Sequence, residues 1–248
     1  IAVNAFSSVK PLKGDRGKHT ADIVSSAINN PNDIHQPVSK LVSLENTSNR
    51  GGGSIYQFQD ILEIKKVCET NKLKLHLDGA RLFNALVETS ETPKDFGAAF
   101  DSISICLSKG LGCPIGSILL GNQETISKAK RYRKLMGGGW RQAGYLAAAG
   151  IYALDNHIER LKEDHRRAKL LGEIITTFFR VKSVLPIETN ILIFELDESI
   201  SAVEFVNNLA QKNIRCIAFG KQLVRMVTHL DFTDDDLEIV QSSFKTLD

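Results

Sequence analysis

Two ionisable side chains follow apolar, strand-like runs in this sequence, and their types suit covalent chemistry. Asp78 ends the run KLHLD, and Lys109 continues the isoleucine and leucine face of the alternating run FDSISICLSK. Burial favours the neutral amine, which is the form that attacks a carbonyl to make a Schiff base. A carboxylate could hold a proton on the pyridine nitrogen of a cofactor. Ligands collect at the carboxyl ends of strands in α/β sheets, so we expect both residues at one crevice.

The spacing alone leaves an ordinary interpretation open for both residues. Asp78 is followed by Gly79, and Asp-Gly is a common turn dipeptide. A lysine at the end of a strand is usually solvated. The case for chemistry therefore depends on the elements that position these side chains.

Strand-like and helix-like runs alternate along the first half of the chain. The strand-like runs are residues 40–46, 74–78, 100–109 and 115–121, and residues 56–72 have helical spacing. This alternation predicts an α/β fold with a parallel or mostly parallel sheet covered by helices. From Arg141 to about Phe179 the sequence predicts one long helix that leaves the sheet domain.

After Pro186 the pattern changes to that of a small α+β domain. We expect strands in residues 188–196, near IRCIAF and near LVRMVTH, with helices between and after them. Ser201 with Glu204, and Thr233 with Asp236, have the spacing of capping boxes at helix starts. The predicted domains are residues 1–150 and residues 151–248.

The composition indicates a soluble, cytoplasmic protein. The chain has 248 residues and a formal net charge of +2, so it can bury a substantial core and has no charge extreme. No apolar run reaches the ~18 residues that a membrane span needs, and the first residues lack the features of a signal peptide. The four cysteines form no CxxC pair and no ligand cluster with histidines, so we expect reduced structural thiols and no metal site.

Five stretches together resemble the L-threonine aldolase family, of the low-specificity type, in the family's order and at compatible intervals. They are LVSLENTSNRGGG, LHLDGARLFNA, FDSISICLSKGLGCPIGS, KLMGGGWRQAG and VRMVTHLDFT. The resemblance runs over nearly the whole chain. It implies a pyridoxal 5'-phosphate enzyme with the aspartate aminotransferase-like fold: a large domain with a mostly parallel sheet, and a small C-terminal α+β domain.

The resemblance also implies roles for individual residues. Lys109 forms the Schiff base with the cofactor, and Asp78 pairs with its pyridine nitrogen. Arg81 and Arg225 grip the substrate carboxylate, a task that suits the planar guanidinium fork, and Arg81 also lies against the cofactor. His35, in NDIHQP, matches a histidine near the substrate hydroxyl and is the candidate base.

Lys134 and Arg141 flank a triple glycine that resembles the family's GGGMRQAG stretch. The glycines allow a close backbone approach, so a phosphate or subunit-interface role is one interpretation and a plain turn between helices is the other. The basic run KAKRYRKL favours a solvated helix face over a nucleic-acid interface.

The implied reaction is retro-aldol cleavage of L-threonine or L-allo-threonine to glycine and an aldehyde, in a homodimer or homotetramer. The alternatives are another pyridoxal-phosphate lyase or aminotransferase of this fold, and a truncated, cofactor-free structural subunit. Ser48 stands where the family has a histidine, which leaves the substrate range open. The family's N-terminal phosphate loop and its ring-stacking histidine have no counterpart before Ile1, so we expect a chain that lacks the N-terminal portion.

Overall fold

A computed structural model describes residues 2–246 of the chain, which form two four-stranded sheets with helices packed on them. The helices are α1 Ala2–Ala5, α2 Ala21–Ala27, α3 Phe58–Thr70, α4 Leu82–Leu86, α5 Pro93–Ala99, α6 Gln123–Leu135, α7 Gly144–Asn156, α8 Leu161–Thr176, α9 Ala202–Gln211 and α10 Asp234–Phe244. The strands are β1 Leu41–Glu45, β2 Lys74–Asp78, β3 Ser102–Cys106, β4 Ser117–Gly121, β5 Val181–Val184, β6 Ile191–Leu196, β7 Ile217–Ala218 and β8 Leu223–Val227.

The first sheet has the strand order β1-β2-β3-β4. β1, β2 and β3 are parallel, and β4 pairs antiparallel with β3. The prediction of a mostly parallel sheet is therefore confirmed. Glu45 is in register with Asp78, and Asp78 with Ser104, so the carboxyl ends of three strands meet at one edge.

Apolar residues at helical spacing hold α3 against this sheet. Ile61, Ile64 and Cys68 are buried on one face of α3, and they belong to the same core as Leu75 and Leu77 of β2. These strand side chains are removed from solvent by helices, which is why the short run LHL forms a buried strand. The first core thus fixes the strand ends at which the candidate side chains lie.

The second sheet has the order β5-β6-β8-β7 and is antiparallel throughout. Its core is rich in aromatic side chains, with Phe194 and Phe205 completely buried. Ser201 accepts a hydrogen bond from the backbone N–H of Glu204 at the start of α9, and Thr233 forms a full capping box with Asp236 at the start of α10. Both helix starts were predicted from sequence.

Several elements differ from the sequence prediction. The long helix expected from Arg141 is two helices, α7 and α8, because the chain turns at His157, whose ring Nδ1 is 2.7 Å from the carbonyl oxygen of Leu111. The run 100–109 forms a strand only as far as Cys106. β5 was not predicted, since its short sequence VKSV has no long apolar run.

α6 contains the whole basic run KAKRYRKL and buries none of its residues. This agrees with a solvated helix face. Within residues 2–246, no helix has both the length and the apolar character that crossing a membrane requires.

Candidate active site

Asp78 projects a carboxylate from the carboxyl end of β2. The backbone oxygen of Asp78 accepts from the N–H of Asn46 at 3.1 Å, which ties β1 to β2 beyond their last paired residues. One carboxylate oxygen accepts from the N–H of Ala80 at 3.1 Å. The next residue must be glycine, because a Cβ on Gly79 would lie 2.9 Å from the backbone oxygen of Ser104. The side chain of Asp78 itself is exposed and directed out of the sheet edge.

Lys109 lies in the turn that follows β3, at the same edge of the sheet. The chain turns because the N–H of Leu107 donates to Gly116 at 2.9 Å, and the N–H of Gly112 donates to the backbone oxygen of Lys109 at 2.8 Å. The prediction that Lys109 continues the buried face of the strand is wrong: its side chain is exposed. The carboxylate therefore comes from the last residue of β2 and the amine from the turn after the adjacent strand β3, with the amine open to solvent.

Arg81 is part-buried and begins α4. Burial lowers the pKa of Arg81, the positive charge of Arg225 lowers it further, and the charges of Glu45, Cys106 and Asp78 act in the opposite direction. The guanidinium groups of Arg81 and Arg225 are thus close enough to repel each other. A bound anion would relieve this repulsion, so Arg81 and Arg225 are suited to hold a carboxylate.

Arg225 comes from the middle of β8, so the second sheet contributes this group. Its Nη1 donates to the side-chain oxygen of Asn49 at 2.8 Å, and its Cζ lies 5.0 Å from the ring centroid of Phe219. Its buried Nε has no hydrogen-bond partner among residues 2–246. An unpaired buried donor is costly, so this N–H would gain from a hydrogen-bond acceptor.

The sequence analysis missed Glu45, Asn49 and Phe219 as contributors to this cluster. Glu45 and Asn49 lie in the motif stretch LVSLENTSNRGGG, so their place at a strand end was a signal. Phe219 had none, because an aromatic residue before a glycine is typical of many turns.

The side chains that the structure describes fit pyridoxal phosphate in the chemistry of their groups. The cofactor needs an amine for its aldehyde carbon and a carboxylate for its pyridine nitrogen, and its amino-acid substrates need a cationic site. Lys109, Asp78 and the pair Arg81 and Arg225 are groups of these types, and they come from the turn after β3, the end of β2, the start of α4 and β8.

His35 precedes β1 in the chain. It belongs to the exposed loop between α2 and β1, and its N–H donates to the side chain of Asp33 at 2.9 Å. That loop leads into the amino end of β1, where the N–H of Lys74 donates to Lys40 at 2.9 Å. No hydrogen bond within residues 2–246 joins His35 to Asp78 or Lys109.

Lys134 lies in the last turn of α6 and Arg141 in the segment between α6 and α7, and both are exposed. The Nζ of Lys134 lies 2.9 Å from where a Cβ on Gly139 would be, so the glycine permits the lysine to fold over the turn. Neither side chain forms a hydrogen bond with Asp78, Arg81 or Arg225 within residues 2–246.

Ser48, which replaces the family's histidine, is buried rather than open to the crevice. Its hydroxyl oxygen accepts from the N–H of Gly51 at 3.3 Å and lies 3.4 Å from the carboxylate of Glu45. A Cβ on Gly17 would lie 2.2 Å from this hydroxyl oxygen. A larger side chain at position 48 would have to displace the segment that contains Gly17.

Comparison with known proteins agrees with these motifs. The model of the family described as beta-eliminating lyase matches residues 1–199. The chain is 37% identical over 228 residues to a probable low-specificity L-threonine aldolase 2 of Arabidopsis thaliana, covering 90% of this chain and 64% of the relative. It is 40% identical over 215 residues to the low specificity L-threonine aldolase of Escherichia coli K12, covering 87% of this chain and 62% of that protein.

The solved structure of the Leishmania major threonine aldolase superposes with a TM-score of 0.76 at 22% identity, covering 94% of this chain and 68% of that one. This likeness shows the aspartate aminotransferase-like fold of pyridoxal-phosphate enzymes, as the motifs predicted. The chain spans 64% and 62% of the length of the two relatives in the preceding comparison. The family match covers well over half of the chain. The chain belongs to the beta-eliminating lyase family.

Proposed function

We propose that this protein, with pyridoxal phosphate bound, cleaves L-threonine and L-allo-threonine to glycine and an aldehyde. One observation carries the proposal: Asp78 ends β2, Lys109 lies in the turn after the adjacent strand β3, and the charges of Asp78 and Arg225 both act on Arg81. The homology to proteins named low-specificity L-threonine aldolases supports the choice of substrate.

In this proposal Lys109 holds the cofactor through a Schiff base, and Asp78 keeps a proton on the pyridine nitrogen. The cofactor, when bound, supplies an electron sink for the electron pair released from a bond at the substrate's Cα. The negative charge of Asp78 makes this sink stronger, because it stabilises the protonated ring nitrogen. The exposure of Lys109 supports its exchange with an incoming amino group.

Arg81 and Arg225 orient the substrate by its carboxylate, which selects the bond that breaks. A base takes the proton of the β-hydroxyl group, the Cα–Cβ bond breaks, and the aldehyde leaves. A proton then returns to Cα and glycine is formed. That His35 is this base remains a prediction, and unchanged turnover in a His35→Ala protein would remove it.

The test is the visible absorption of the protein with pyridoxal phosphate, before and after borohydride, followed by peptide mapping. We expect a Schiff-base band that borohydride traps on Lys109. Glycine and an aldehyde as products would then distinguish the proposed reaction from β-elimination, which gives ammonia and a keto acid. No band, or trapping on another lysine, would contradict the proposed site and favour a structural subunit.

We further propose a cytoplasmic homodimer or homotetramer, with residues 1–150 as the cofactor-binding domain and residues 151–248 as the smaller one. Exposed apolar side chains near α6 and α7 support assembly: Trp140 is 68% exposed and Tyr145 86%. In such an assembly Lys134 and Arg141 contact the cofactor phosphate or the neighbouring subunit. Light scattering of the purified protein tests the assembly, and a monomer would contradict it.

A further inference from the structure

We propose that Phe219 and Asn49 are positioning residues, which hold the Arg225 guanidinium in the orientation that binds the carboxylate of the amino-acid substrate. The inference rests on the proposed function, since it concerns how that substrate is held. Neither residue belongs to the roles that the sequence motifs assign.

Phe219 presents a flat face to Arg225. It follows β7, and its N–H donates to the backbone oxygen of Leu223 at 2.7 Å, which fixes the turn into β8. The Cζ of Arg225 is 5.0 Å from the ring centroid, within the range of cation–π attraction. Arg50 also has its Cζ 5.0 Å from the same centroid, so the ring attracts two guanidinium groups. Stacking on the ring restricts rotation of the guanidinium plane.

Asn49 fixes the same guanidinium by a hydrogen bond to one corner. Its side-chain oxygen accepts from Nη1 of Arg225 at 2.8 Å. Asn49 lies in the loop between β1 and α3, which is itself anchored: the Oγ1 of Thr189 donates to Gly53 at 2.9 Å, and Arg16 donates from Nε to Gly51 at 2.9 Å. The acceptor is therefore held by both the first and the second part of the molecule.

These two contacts leave one edge of the guanidinium without a hydrogen bond to the described residues. Asn49 occupies Nη1, and Phe219 covers a face, whereas Nε has no partner among residues 2–246. The Nε and Nη2 edge carries two parallel N–H groups, the arrangement that matches a carboxylate. Arg81 repels Arg225, so a guanidinium that nothing restrained would move away from the carboxylate position.

The experiment compares Phe219→Leu, Phe219→Tyr and Asn49→Ala in the cofactor-loaded protein. Phe179→Leu is the matched control, because it removes another arginine–phenylalanine stack, in which the Cζ of Arg180 is 5.1 Å from the ring of Phe179. The first readout is the dissociation constant of glycine, and of glycinamide, which has no carboxylate, from the change in cofactor absorbance. The second is KM and kcat for threonine.

We expect Phe219→Leu to weaken glycine binding by about 3- to 30-fold and Asn49→Ala by about 10- to 100-fold. KM should rise by similar factors while kcat changes less, since the lost contact orients the substrate's carboxylate. Glycinamide binding should stay within about twofold of its wild-type value in each variant. Phe219→Tyr should retain glycine binding, and Phe179→Leu should behave as the wild type.

Equal glycine affinities in the Phe219→Leu, Asn49→Ala and Phe179→Leu proteins would overturn the inference, as would an equal loss for glycinamide. A wild-type protein that shows no absorbance change with glycine would contradict the proposed function instead. In that case the rate at which phenylglyoxal modifies Arg225, followed by peptide mapping, decides the positioning role without the cofactor. A faster rate in Phe219→Leu than in Phe179→Leu supports it, and equal rates reject it.

Discussion

The first sheet leaves its edge strand β4 exposed along its whole length, whereas the second sheet buries nearly all of β6. Their functional groups differ in the same way. Asp78 at the end of β2 and Lys109 in the turn after β3 are exposed, while Arg225 is part-buried within a strand of the second sheet. In the proposed function, the first sheet would carry the groups for covalent chemistry, and the second would supply a fixed group for binding.

The proposed roles of Lys109 and Arg225 require opposite degrees of mobility. A lysine that exchanges its bond with substrate needs freedom to move, and a turn after β3 gives that freedom. A guanidinium that selects the orientation of a substrate needs a fixed position, and a paired strand gives that better than a loop. The register of Arg225 with Ile193 and Ile217 places it between two neighbouring strands.

The largest expected effect belongs to the turn of the first sheet. In a Lys109→Ala protein, threonine cleavage should fall by at least about 10³-fold, because the amine that forms the Schiff base is lost. The exposed side chain contributes little to packing, so the melting temperature of the cofactor-free protein should stay close to the wild-type value. Activity assays and thermal melts measure the two effects.

Lys94→Ala, a lysine change in α5 with no predicted role, is the control. Comparable activity losses in both variants would show that the turn after β3 has no special part in the reaction.

The free energy of unfolding should depend more on the second sheet than on the exposed edge of the first. Phe205 is completely buried in the second core, with ring centroids 5.7 Å from both Phe178 and Phe194. Phe205→Ala should lower the free energy of unfolding by about 3–5 kcal/mol, since it leaves a cavity. Leu119→Ala in the exposed strand β4 should change it by no more than about 0.5 kcal/mol.

Urea unfolding of the two variants measures this contrast. A large loss of stability in Leu119→Ala would mean that β4 is covered in solution by another chain or segment. The exposure of β4 would then be a property of the isolated chain alone.

A smaller change in rate separates charge from shape at the end of β2. Asp78→Asn keeps the size of the side chain but removes its charge, so kcat should fall by about 10²-fold as the pyridine proton is lost. A second measurement is spectroscopic: the pH at which the absorbance of the bound cofactor changes should differ between this variant and the wild type. An unchanged kcat would show that this carboxylate does not act on the cofactor.

Local sequence patterns predicted most of the fold, because burial of apolar side chains and helix capping depend on residues that are close together in the chain. The run KLHLD is β2 as bounded in the structure, and Thr233 with Asp236 marks the start of α10. The break after α7 could not be read from the sequence, since it depends on a contact between His157 and Leu111, residues far apart along the chain. Alternation likewise carried no information on the antiparallel direction of β4.

The candidate site was predictable only in part, for a related reason. The ends of apolar runs indicated Asp78 and Lys109, whereas Arg81 and Arg225 were predicted only through the resemblance to a known family. Whether such groups converge depends on sheet order, and His35 shows the limit: its loop enters β1 from the amino end. Asn49 and Phe219 matter through contacts with Arg225 that arise only when both sheets have formed.

The smallest expected effect concerns the contact between α4, which follows β2 of the first sheet, and α8, which precedes the second sheet. His165 of α8 is buried, its Nδ1 bonds the carboxylate of Glu88, and its Nε2 is 3.0 Å from the amide nitrogen of Asn84 in α4. Burial lowers the pKa of His165, while the hydrogen bond and charge of Glu88 and the charge of Asp164 raise it, and Lys169 lowers it. The neutral ring, which donates to Glu88 and accepts from Asn84, is thus the folded form.

The sign of the pH dependence follows from where each state takes up its proton. An unfolded histidine binds a proton near pH 6.5, as it does in model peptides, and His165 in the folded protein does so only at lower pH. Between these values the unfolded state binds more protons, so stability falls as the pH falls, by at most about 1.4 kcal/mol per pH unit for one group. Below the folded pKa the loss is complete and the dependence on this group ends.

Urea midpoints of the wild type and His165→Gln, measured from pH 7.5 down to pH 5.5, isolate this contribution. His19 and His76 also have pKa values lowered by burial, and they affect both proteins equally. The stability advantage of the wild type over His165→Gln should therefore shrink as the pH falls. Only the wild type has an unfolded state that is stabilised by protonation of a histidine at this position. A constant difference would show that His165 joins α4 and α8 without titrating, and the two sheets would then be coupled through packing alone.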